Sequence, residues 1–147
     1  MGERLPRAPR KAPLVLPVLS GSMAPFLRPG GNVAIECDAA EEIHAGDIIV
    51  FHEGGTLTAH WLLFRLRLGR CSFLYQAGNG GGVGHWIREK QLVGVVLSST
   101  DAEGTLLYER RTHDPADRRG ATVRIIRDVR ARVKQAIRAV TRGSRGR

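Results

Sequence analysis

Cysteine, aromatic residues and long apolar runs are all scarce in this 147-residue chain, and each scarcity removes a class of protein. Two cysteines, Cys37 and Cys71, are too few for a disulfide scaffold or a thiolate zinc site. They read as reduced thiols in or near a core, with a single bridge left open. The five histidines, at 44, 52, 60, 85 and 113, fall at neither HExxH nor HxH spacing, so no metal site is expected. No run approaches the roughly 18 apolar residues of a membrane span. LVLPVL at 14–19 follows basic residues, as the core of a secretion signal would. It is too short for one, is broken by Pro17, and no small-residue cleavage site closes it. A chain of this length still suits one domain with a real core and no staples.

Charge is present in excess but unevenly placed. The net charge is +9, yet residues 121–147 alone hold eight arginines and Lys134 against Asp128, a net of +8. Residues 1–11 contribute +3 through Arg4, Arg7, Arg10 and Lys11 against Glu3. The body between them is nearly neutral. The basicity therefore belongs to the ends, which suits tails that meet an anionic surface rather than a basic face on a folded domain.

Punctuation by glycine and proline divides the chain. Residues 1–13 are rich in Pro and Arg and are expected to form a disordered basic arm. The body, 14–112, reads as short strands: NVAIEC (32–37), DIIVF (47–51), TLTAHWLLFRLRL (56–68), CSFLYQA (71–77), QLVGVVLS (91–98) and TLLYER (105–110). Glu53-Gly54-Gly55 and Gly69-Arg70 have the composition of hairpin turns, and Asp101–Gly104 of another. Residues 79–84, NGGGVG, read as a flexible loop. Within 113–147 the period changes. Val123, Ile126, Val129, Val133, Ile137 and Val140 recur at three or four, which predicts a basic amphipathic helix over about 121–142 and a frayed tail beyond it. Its apolar stripe suits packing on the body or a partner about as well as an anionic membrane, and nucleic acid ranks behind both.

Four ordered boxes carry chemistry. Ser20-Gly21-Ser22-Met23-Ala24-Pro25 is followed by Leu27-Arg28-Pro29-Gly30. Then come Gly46-Asp47-Ile48-Ile49-Val50-Phe51, Gly55-Thr56-Leu57-Thr58-Ala59-His60, and Gly78-Asn79 with Leu92-Val93-Gly94-Val95-Val96. This series resembles the type I signal peptidases and their serine-peptidase relatives, in the branch that uses histidine where ordinary bacterial enzymes use lysine. The resemblance spans about residues 14–98. It implies a signal-peptidase/LexA-like β fold of coiled antiparallel sheets and a serine endopeptidase that cuts through an acyl-enzyme. It implies Ser22 as nucleophile, His60 as general base and Ser20 as an oxyanion donor beside the Ser22 backbone N–H. No cofactor or metal is expected.

The chemistry has physical reasons. A serine hydroxyl is a poor nucleophile until a base takes its proton, and imidazole titrates close to where such a base should. Fixed donors must then meet the oxyanion. The sequence also departs from the family. Arg28-Pro29-Gly30 is followed by Gly31 rather than aspartate, and the loop 78–85 holds no carboxylate to orient the histidine. Asn79 or Asp101 could orient it instead. The alternatives are a serine–histidine dyad of reduced activity, or a pseudo-peptidase that binds a peptide or partner without cutting it. The expected location is the cytoplasm, or the inner face of a membrane as a peripheral protein.

Overall fold

The computed structural model describes residues 11–80 and 83–110. The first ten residues, the linker from 111 and the helix expected over 121–142 lie outside the described residues. The described part is mainly β, as its punctuation implies. Eight strands form one antiparallel sheet: β1 (Leu14–Pro17), β2 (Asn32–Cys37), β3 (Ile48–Glu53), β4 (Thr56–Leu68), β5 (Cys71–Ala77), β6 (His85–Arg88), β7 (Leu92–Thr100) and β8 (Leu106–Glu109). Their order is β1-β2-β7-β3-β4-β5-β6, with β8 also against β7. Two of these strands have no counterpart in the sequence reading. β1 is the apolar run that resembles a short signal core, and β6 follows the glycine loop.

The hairpins follow from their turn residues. Gly54 and Gly55 both have positive φ, +56° and +82°, which lets β3 turn directly into β4. Gly69 has φ +58° at the first position of the β4–β5 turn. The run Ile48–Phe51 does not alternate because it is buried on both faces. Ile48 and Val50 join Val33, Ile35 and Val96 in one cluster, plugged by Met23 and Leu27 from the loop after β1. Ile49 and Phe51 join Leu62, Leu74, Ile87 and Val95 on the other face, closed by Ala39 and Ile43.

β4 carries an irregularity that matters for the site. Residues 64–68 pair with 71–75 in register from the turn, but the register shifts by one between Leu62 and Phe64. The extra residue is a β-bulge at Leu63. Beyond the bulge the apolar side chains Phe64, Leu66 and Leu68 face solvent. Arg65 is the half-buried member instead, donating to the Ala40 carbonyl (2.7 Å), to Ser72 (3.0 Å) and to the Glu89 carboxylate.

A second polar group holds the opening of β3 to the end of β8. Asp47 is 1% exposed, and its carboxylate accepts from the His44 N–H at 2.7 Å and from Arg110 Nε and Nη2 at 3.0 and 2.9 Å. Tyr108 lies beside it. Burial and the Asp47 charge together push the Tyr108 phenol up to about 12 from its ordinary 10.0. A folded-state value above the unfolded one makes a contribution to stability that is complete below pH 10 and is lost as pH rises towards 12. Thermal melts should therefore fall across that window, and Tyr108→Phe should flatten the slope. Phenolate absorbance compared between wild type and variant reads the same titration.

Candidate active site

The Ser22 loop is shaped by its own backbone. Ala24 N–H donates to Gly21 O at 3.0 Å and Leu27 N–H to Met23 O at 3.1 Å, while Val18 and Gly31 close the loop's base at 2.9 Å. Met23 and Leu27 are buried at 2% and 3%, so the loop is pinned from below and Ser20 and Ser22 are left exposed on top. The two hydroxyl oxygens lie 3.5 Å apart, at the outer limit of a hydrogen bond. Ser20 is thus beside Ser22, the position its expected role as oxyanion donor requires. Gly31 packs edge-on to β7. A Cβ there would meet the Thr100 carbonyl oxygen at 2.0 Å, so the position accepts no side chain, aspartate included.

His60 stands on β4 and is half-buried. Its Nδ1 lies 2.5 Å from Gln76 Oε1 on β5. Phe51 meets the ring edge-on, with centroids 5.9 Å apart. Gly78 lies against the other edge, where an added Cβ would be 3.0 Å from Nε2 and 3.2 Å from Cδ2.

The end of β5 and the residues after it touch both the His60 ring and the Ser22 loop, while among the described residues no hydrogen bond joins Ser22 to His60 directly. Gln76 and Gly78 flank the His60 ring, and the next residue, Asn79, reaches the Ser22 loop. Asn79 N–H donates to Ser22 O at 3.1 Å, and its side-chain amide donates to Ala24 O at 2.6 Å. Asn79 is therefore a clamp on the Ser22 loop, and it is Gln76 that meets the imidazole. Asp101 is not the ring's partner either. Its carboxylate accepts from Glu103 N–H (3.0 Å) and Thr105 N–H (2.7 Å), which closes the turn between β7 and β8.

The bulge explains why Gln76 rather than Asn79 meets the histidine. Unbroken register from the Gly69 turn would set Asn79 across from His60. The extra residue at Leu63 moves the pairing by one, so that Trp61 faces Ala77 and Leu62 faces Gln76. Continued one step, this sets Gly78 across from His60 and puts Gln76 diagonal to it on the same face. The available sequence signal was the alternation of β5, which places Gln76 with buried Leu74.

An apolar cleft of about 440 Å³ opens beside the serines. Leu16–Leu19 form one wall and Thr56–Ala59 the other, over a floor that includes Val33, Ile35 and Val50. Both walls are strand edges. Among the described residues β1 pairs with β2 alone, and the first residues of β4 with β3 alone, because β5 reaches no further than Ala77 opposite Trp61. Among the described residues no group of three or more histidine, cysteine or acidic side chains is placed to hold a metal ion. Nor is any helix among them long and apolar enough to cross a membrane. Compared with known proteins, the chain matches no family model and no curated protein.

Proposed function

We propose that the chain is a serine endopeptidase of the signal-peptidase-like class. Ser22 Oγ attacks the scissile carbonyl carbon while its proton passes to His60 Nε2. The C–N bond then breaks, the leaving amine takes that proton, and an acyl ester remains on Ser22. Water, losing a proton to His60, hydrolyses the ester and restores the serine. Ser20 Oγ and the Ser22 backbone N–H are the oxyanion donors.

The observation that carries this reading is the segment 76–79, which holds the His60 ring at one end and the Ser22 loop at the other. The same short segment thus touches the ring and the loop that the proposal makes catalytic. The cleft supports a peptide substrate. An extended chain can add as a strand between the free edges of β1 and β4, with small or apolar side chains directed to its floor. The substrate is a peptide or precursor protein in the cytoplasm or at the inner membrane face, where the basic segment 121–142 meets anionic lipid.

Incubation with a peptide library of apolar and small residues, with the products mapped by mass spectrometry, tests the activity. Cleavage by wild type that disappears in Ser22→Ala is the expected result. Cleavage that survives in folded Ser22→Ala would remove Ser22 from the mechanism. No cleavage by folded wild type would favour the pseudo-peptidase.

A further inference from the structure

We propose that Gln76 is the positioning residue of the histidine base, an amide standing where a serine hydrolase of this kind would be expected to use a carboxylate. The proposal rests on the reading of Ser22 and His60 as the catalytic pair.

Gln76 is 0% exposed, and it sits opposite Leu62 and on the same face as Leu74 and Ile87, among the side chains of an apolar cluster. Its Nε2 is buried without a hydrogen-bond partner. An unmade bond of this kind is a stability cost, and leucine or methionine would fill the same space without it. The amide is thus unfavourable where packing alone decides. Its one use is at Oε1, 2.5 Å from His60 Nδ1.

That contact fixes a proton. A carbonyl oxygen can only accept, so Nδ1 carries the hydrogen and donates it. Neutral imidazole then has its lone pair at Nε2, on the edge that lies against Gly78, one residue before the Asn79 that holds the Ser22 loop. This is the tautomer a base for Ser22 needs. A carboxylate would impose the same tautomer and would also stabilise the imidazolium formed during attack. The amide does the first and little of the second, so the site runs as a neutral Ser22–His60–Gln76 relay with a slower proton transfer.

Nitrogen NMR of the full chain labelled at histidine tests this without substrate. The His60 signals are those missing in His60→Ala. At a pH where the ring is neutral, wild-type His60 is expected to show protonated Nδ1 and unprotonated Nε2. In Gln76→Leu it should revert to the Nε2–H form usual in water, with hydrolysis lowered about tenfold or more. Gln76→Glu should restore the Nδ1–H form, exceed Gln76→Leu in rate, and move the acid limb of the pH–rate profile upward. Wild-type His60 in the Nε2–H form would overturn the proposal, as would a Gln76→Leu variant unchanged in tautomer and rate. If Gln76→Leu does not fold, wild type and Gln76→Glu still decide. The expected tautomers without any Ser22-dependent hydrolysis would sink the peptidase reading and leave only that Gln76 sets the His60 tautomer.

Discussion

Replacing His60 with alanine is expected to lower kcat/KM for peptide hydrolysis by about a thousandfold or more, with the protein still folded. On the proposed mechanism the loss follows from removing the imidazole that contacts Gln76 and Gly78, next to the Asn79 that holds the Ser22 loop. A second substitution separates chemistry from packing. Gly78 does not adopt a left-handed backbone, so alanine strains nothing locally. Its Cβ would nevertheless fall 3.0 Å from His60 Nε2, so either the ring or the strand end must shift. Misplacement of a catalytic group by about 1 Å can cost on the order of a hundredfold. Gly78→Ala should therefore lose about that much activity while its melting temperature stays near wild type. Steady-state kinetics beside thermal melts read both quantities. Unchanged activity in both variants would remove His60 from the chemistry.

The largest effect on stability is expected at Arg110. Its guanidinium donates twice to Asp47 and, at 2.7 Å, to the Glu42 carbonyl, and it lies 3.8 Å from the Glu36 carboxylate. The Arg110 side chain is 13% exposed and that of Asp47 1%. Arg110→Met leaves the Asp47 charge buried with its main counter-ion gone, a change that costs about 3–5 kcal/mol. A domain of this size has only about 5–15 kcal/mol in total, so the variant should lose a large fraction of its stability. The double variant Asp47→Asn with Arg110→Met should recover part of the loss, because the Asp47 charge no longer sits buried without its counter-ion. Denaturant titration of the three proteins measures the difference. A double variant no better than the single one would mean that the contacts to the Glu42 carbonyl and to Glu36, rather than the pair with Asp47, dominate.

Much of the sheet was legible because its signals are local. Gly54-Gly55 and Gly69 announce their hairpins, and the β-branched run 48–51 announces a strand buried on both sides. Ser20, Ser22 and His60 were legible as candidates because their boxes are contiguous in sequence. The partner of His60 was not. Reaching it requires knowing the register of β4 on β5, and one bulged residue at Leu63 changes that register by one place. Nothing in TLTAHWLLFRLRL marks Leu63 as the extra residue. Beyond the same bulge Phe64, Leu66 and Leu68 look outward while Arg65 is tied down. β1 was missed for another reason: a four-residue edge strand ending in proline has too little pattern to read. Asp101 attracted attention as a nearby carboxylate, but a turn needs its side chain for two backbone N–H groups.

The proposed mechanism stands on Ser22 being a nucleophile activated by His60. The most direct measurement is the mass of the protein after exposure to a fluorophosphonate, with the adduct located by peptide mapping. The account predicts one adduct, on Ser22, formed by wild type, much slower in His60→Ala and absent in Ser22→Ala. Folded wild type that forms no adduct, or forms one equally in Ser22→Ala, would contradict it.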